Sequence, residues 1–132
     1  MAGPEDTPAG FADEIGVEWL SFDPDDARAR IAVEPRHLQL SGIVHGGVYA
    51  SLAESIASAS TYRAVRDDGM VAFGQANQTT FLRPIGSGHI NALATPRQRG
   101  RTIWVWDVEL TDDDENLCAL ARMTIAVRPA RA

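Results

Sequence analysis

One segment constrains the fold more than any other. From His45 to about Ala64, Val48, Leu52, Ile56 and Ala59 recur at helical spacing in a stretch rich in Ala and Ser and free of proline, which predicts one long helix. Arg66-Asp67-Asp68-Gly69 ends it, with Gly69 suited to a turn. Almost everything else reads as β. Ile15 to Phe22 and Ala27 to Val33 flank the turn Asp23-Pro24-Asp25-Asp26, which predicts a hairpin. A loop from Glu34 to Val44, opened by Pro35 and with Gly42 near its end, leads to the helix. After it come a long strand over Met70 to Leu82, closed by Pro84 and Gly86, and shorter ones over His89 to Thr95, Thr102 to Leu110 and Leu117 to Val127. Asp112 to Asn116 makes the polar tip between the last two. Segregated helix and strands imply an α+β fold in which the helix covers one face of an antiparallel sheet.

A chain of 132 residues with 45% hydrophobic and 23% charged residues suits one globular domain and excludes disorder. Residues 1–12, with Gly3, Pro4, Pro8 and Gly10, are expected to be a flexible tail, and residues 13–132 a single domain. No apolar run approaches the ~18–20 residues that span a bilayer and no charged-then-apolar leader opens the chain, so no membrane association and a cytoplasmic location are expected. Cys118 is the only cysteine, which excludes an intrachain disulfide. The net charge of −6 argues against nucleic acid as a partner. All 12 basic residues are arginine, so every positive side chain is a planar fork suited to carboxylate or phosphate.

The polar residues around the helix admit both functional and plain structural readings. Gly42-Ile43-Val44-His45-Gly46-Gly47 sets two glycines on the first turn, where unpartnered N–H groups polarise a carbonyl or simply mark a tight turn. Glu54 lies off the apolar stripe among Ala50, Ser51, Ala57, Ser58 and Thr61. A solvated carboxylate is the ordinary reading, yet such small neighbours suit close packing, and Ser58 follows four residues later, within reach of Glu54 or its ligand. Eight helical residues separate Gly46 from Glu54, about 12 Å. If they share one site, that site takes Gly46 from one chain and Glu54 from an antiparallel partner helix. Gln39 and His45 fit either a ligand or an ordinary loop. Arg97, Arg99 and Arg101, with Arg83 and Arg131, suit phosphates or a solvated surface. Cys118 reads as buried and inert, and Trp104, Trp106 and Phe81 as core. Asp112 to Glu115 lacks calcium-loop spacing.

These residues resemble a known family. Gln39-x5-His45-Gly46-Gly47-x6-Glu54-x3-Ser58 is similar to the helix motif of hotdog-fold acyl-CoA thioesterases that use a helical glutamate. Gly74 to Pro84, Trp104 to Val108, Leu117 to Ala119 and Ile125 to Pro129 resemble the 4-hydroxybenzoyl-CoA thioesterase lineage, so the likeness runs from about residue 37 to the C-terminus. The resemblance implies a hotdog fold, one long central helix wrapped by a curved antiparallel sheet, in an enzyme that cleaves an aryl-CoA thioester without a metal or other cofactor. It implies that the Gly46 N–H polarises the thioester carbonyl, with Gln39 orienting it and His45 lining the site. Glu54 of a partner subunit is then nucleophile or general base, and Ser58, where the family has threonine, orients water. Arg83, Thr102 and Arg131 match coenzyme A contacts, while Arg101 stands where the family has a small hydroxyl residue. A dimer with composite sites, assembled into a tetramer, is implied as well. Gentisyl-, dihydroxynaphthoyl- or phenylacetyl-CoA as substrate, or a non-catalytic acyl-CoA-binding module, are the alternatives.

Overall fold

A computed structural model describes residues 10–131. Most of the expected tail therefore lies outside the described residues, but its last two, Phe11 and Ala12, open a short helix α1 (Phe11–Glu14). The hairpin follows as β1 (Val17–Ser21) and β2 (Ala27–Ala32), then a single 3₁₀ turn over Pro35–His37. The long helix α2 spans Gly46–Val65, one residue along from its expected position. Four strands complete the chain: β3 (Met70–Phe81), β4 (His89–Arg99), β5 (Ile103–Thr111) and β6 (Leu117–Pro129).

The six strands form one antiparallel sheet in the order β1-β2-β4-β5-β6-β3. Its inner face is built largely from small side chains, Ala27, Ala29, Ala92, Ala94, Ala119 and Ala121, all buried. Such residues let a strongly curved sheet close around a helix, and α2 packs against strands β2 to β6. Larger side chains complete the core, with Trp106, Ile31, Leu110, Met123 and Ile125 fully buried. Burial of this apolar surface, at about 25 cal/mol per Å², is the main stabilising term. This is the hotdog architecture that the resemblance implies.

The helix faces differ in one respect from their expected assignment. Leu52 and Ile56 point into the core as predicted, but the buried stripe runs through Tyr49, Leu52, Ala53, Ile56, Ala57, Ser60, Thr61 and Val65. Val48 and Ala59 are only half-buried. Ala57 and Thr61, placed by the sequence beside Glu54 on the outer face, turn inward. Thr61 gains a reason to do so, because its hydroxyl accepts from the Trp106 indole Nε1 at 2.8 Å and donates to the Ala57 carbonyl. Strand β4 continues beyond Thr95 across Pro96, with a register shift between Pro96 and Gln98. Arg97 and Arg99, beyond the expected end of this strand, consequently lie on it, and both are ion-paired, to Asp107 and Asp25. No described helix is long and apolar enough to cross a membrane.

Candidate active site

The start of α2 has no carboxylate or hydroxyl cap. His45 serves instead, its Nδ1 accepting from the Gly47 N–H at 2.9 Å, while the Val48 N–H bonds to the His45 carbonyl. The Gly46 N–H, first in the helix, has no partner among the described residues. It faces the region where an α-helix carries a partial positive charge. Around it opens a cleft of about 560 Å³ between three segments: the loop residues Gln39, Ile43 and Val44, the helix start from His45 to Tyr49, and Phe81 to Pro84 after β3. Gln39, His45 and Gly46, expected at one thioester site, are thus brought together, and Arg83, expected to contact coenzyme A, joins them.

Phe81 was expected in the core and is instead 56% exposed, because β3 is an edge strand and its last residue projects over the cleft. Its ring lies so close to Gly46 that a Cβ there would sit 2.7 Å from it. The ring also packs against Tyr49, centroids 5.9 Å apart. Tyr49 is buried, and its hydroxyl has no hydrogen-bond partner. Burial raises its pKa above the usual phenol value.

Glu54 occupies a different place. It is exposed, two helical turns along α2, in a second cleft of about 150 Å³ lined by Phe11, Ala50, Ser51, Ser55 and Asn77. Asn77 of β3 is tied to the helix there, donating to the Ala50 carbonyl at 3.0 Å. The Glu54 carboxyl rests over Gly74 of β3. A glycine inside a strand signals such a close approach or a bulge, and both occur, since the β3–β6 register shifts between Gly74 and Ala76. Ser58 does not bond Glu54: its hydroxyl is buried and unpartnered. Within one chain, then, Gly46 and Glu54 line separate clefts on one helix.

The arginines divide in the same way. Arg83 lines the Gly46 cleft. Arg101 lies at the opposite end of α2, in a cleft with Val65, Asp68, Met70 and Trp104. Thr102 and Arg131 belong to that end too: the Thr102 carbonyl accepts from the Val127 N–H, and Ala130, next to Arg131, bonds Gly69. Cys118, Trp104 and Trp106 are buried as expected. Burial also pushes the Cys118 thiol pKa up, away from a reactive thiolate. Among the described residues no group of three or more His, Cys, Asp and Glu side chains is placed to hold a metal ion.

One long helix wrapped by a curved antiparallel sheet, with a cleft at the helix start and another along its exposed face, defines a hotdog protein. The chain belongs to the Thioesterase superfamily, which it matches over residues 41–119. It is similar to the 1,4-dihydroxy-2-naphthoyl-CoA hydrolase of Listeria monocytogenes, 32% identical over 122 residues that cover 92% of this chain and 98% of the relative. It is also similar to the proofreading thioesterase EntH of Cronobacter turicensis, 28% identical over 89% of this chain and 85% of that one. The crystal structure of thioesterase HI1161 from Haemophilus influenzae superposes with a TM-score of 0.86 at 32% identity, covering 92% of this chain and 84% of the other. The protein is a thioesterase.

Proposed function

We propose that the protein hydrolyses an aryl-CoA thioester, 4-hydroxybenzoyl-CoA or a related hydroxybenzoyl-CoA, at a site shared between two subunits. The separation of Gly46 and Glu54 into two clefts is the observation that carries the shared site, and the family resemblance of the segments Gly74 to Pro84 and Trp104 to Val108 supports the aryl-CoA substrate. A carbonyl held at the Gly46 N–H is about 12 Å along the helix from Glu54 of the same chain, too far for attack. Two chains related by a two-fold axis, with their α2 helices antiparallel, bring each Gly46 cleft to the other chain's Glu54. The same operation carries Arg83 towards the partner's Arg101, Thr102 and Arg131, which suits a long ligand with phosphates at one end. Strand β3 supports that pairing. It is 12 residues long, lies at the sheet edge and contains no charged residue, so its outer edge is open to a second copy.

In this reading the Gly46 N–H stabilises charge on the thioester oxygen, a contribution of about 3–4 kcal/mol for a single preorganised donor. Gln39 orients the carbonyl and His45 lines the cleft. The partner's carboxylate at the Glu54 position attacks as nucleophile or deprotonates water, with Ser58 close by on the same helix. A thioester carbonyl is electrophilic and a thiolate leaves readily, so the reaction needs no cofactor. The Listeria relative favours dihydroxynaphthoyl as a second acyl group.

Free-thiol release from a panel of 4-hydroxybenzoyl-, gentisyl-, dihydroxynaphthoyl-, phenylacetyl- and aliphatic acyl-CoAs, with wild type beside Glu54→Ala, tests the reading. Fast Glu54-dependent release from one hydroxylated aryl-CoA supports it. Coenzyme A binding with no release from any thioester leaves a binding module. Mixing Glu54→Ala with Gln39→Ala tests the sharing: re-formed dimers should recover about a quarter of the wild-type rate, the statistical share of intact composite sites. No recovery after subunit exchange overturns the shared site.

A further inference from the structure

We propose that His37 is a positioning residue for this reaction, a buried pin that fixes the loop carrying Gln39 against the start of α2. The proposal rests on the reading of the Gly46 cleft given above. His37 closes the 3₁₀ turn and is 2% exposed. Every polar group it has is engaged. Its Nδ1 accepts from the Glu34 N–H at 2.9 Å, and its Nε2 bonds the Ile15 carbonyl at 2.8 Å. A donor at one nitrogen and an acceptor at the other fix a neutral ring protonated on Nε2. Its main-chain N–H donates to the Glu34 carbonyl at 2.9 Å, and its carbonyl accepts from the His45 N–H at 2.9 Å. One residue therefore ties the approach to β1, the 3₁₀ turn and the helix cap together.

The loop beyond it depends on that tie. Gln39, Leu40, Ser41 and Gly42 are exposed, so side-chain burial does not hold them. The loop is closed by its own backbone, with Leu38 bridged to Val44, the Gln39 N–H bonded to Ile43 and the Gly42 N–H bonded to Gln39. The His37–His45 bond lies at the base of this closure. Arg36 adds a second tether, donating to the Glu14 carbonyl while paired with Glu34. Loss of the His37 ring removes its bonds to the Glu34 N–H and the Ile15 carbonyl, which leaves the turn beneath this closure unpinned and lets Gln39 move relative to Gly46, the two groups assigned to one carbonyl. A displacement of about 1 Å in such a pair costs on the order of a hundredfold in rate.

The test compares wild type with His37→Ala, His37→Asn and His37→Gln. Asparagine retains an acceptor near the Nδ1 position and glutamine a donor near Nε2. Using the acyl-CoA that wild type cleaves best, His37→Ala should lower kcat about 10- to 100-fold and change KM less than about threefold. His37→Asn should recover part of that loss by restoring the bond from Glu34. Amide hydrogen exchange at Gln39 and His45 should accelerate in His37→Ala more than exchange in β5, which reports global opening. Wild-type kcat in a folded His37→Ala protein overturns the proposal. If the alanine variant does not fold, the other two carry the test: lowered stability with unchanged kcat per folded molecule makes His37 merely structural. If wild type cleaves no thioester in the panel, the function reading fails separately. Amide exchange then decides the pin, and unchanged rates at Gln39 and His45 overturn it.

Discussion

Glu54 lies directly over Gly74: a Cβ built on that glycine would stand 3.3 Å from the Glu54 carboxyl carbon and 3.4 Å from Oε2. The absence of a side chain in β3 sets where the carboxylate rests. Gly74→Val should therefore displace the carboxylate while leaving the fold intact or firmer, because valine suits a strand better than glycine. Thioester hydrolysis is expected to fall at least tenfold with the urea midpoint unchanged or raised. An active Gly74→Val protein would place the working carboxylate elsewhere.

Removal of the carboxylate itself should be more severe. Under the proposed mechanism Glu54→Gln keeps the volume and removes the nucleophile or base, and a reduction of at least about 10²-fold in kcat is expected. Coenzyme A affinity, read by calorimetry, should stay close to wild type.

Gly46 and Phe81 should be energetically coupled. Alanine at 46 meets the Phe81 ring, but that ring is exposed and can swing aside, so the cost should remain below about 1–3 kcal/mol. In a Phe81→Ala background the clash disappears, and Gly46→Ala should become neutral or stabilising through helix propensity. A double-mutant unfolding cycle with no coupling would show that the ring does not occupy this position in solution.

Thr61 holds the buried end of the Trp106 indole. Thr61→Val keeps the shape and strands the Nε1–H without an acceptor, for an expected loss of about 1–3 kcal/mol. Trp106→Phe on top of it should add less than its separate cost, because the stranded donor is gone. Denaturant titration of the four proteins checks this.

The turn between β5 and β6 should give one acid-sensitive contribution. The Asp112 carboxylate accepts from the Asn116 amide and main chain and from the Asp114 N–H, and the Asn116 bonds chiefly lower its pKa. A pKa lower in the folded than in the unfolded chain, where aspartate titrates at about 3.9, stabilises the fold above that value. The stabilisation disappears as pH falls through the folded pKa. Asp112→Ala should accordingly flatten the decline of stability between neutral and acidic pH. Glu18 and Asp113 are lowered too, so the comparison is the difference from wild type across the same series.

The sequence made the architecture legible because the helix and strand periods separate cleanly along the chain. It also grouped Gln39, His45 and Gly46, which are near neighbours in sequence and meet in one cleft. Errors arose where tertiary contacts decide. Thr61 looks like an outward polar residue until Trp106 supplies a partner, and Phe81 looks like core until β3 proves to be an edge. His37 carried a signal that went unread: Glu34 and His37 form a reciprocal capping box around the 3₁₀ turn. Ser58 matched its motif by spacing alone, and spacing does not reveal that its hydroxyl is buried without a partner.

In the proposed dimer, strand β3 has a consequence for the life of the chain before two subunits meet. Twelve residues with neither charge nor proline, open along one edge, carry none of the features that normally discourage strand-to-strand adhesion. While that edge is unpaired, any extended polypeptide competes for it. Variants that weaken pairing along β3 should therefore appear first as poor yield and turbidity, at protein concentrations where the wild type stays clear, and only then as lost turnover.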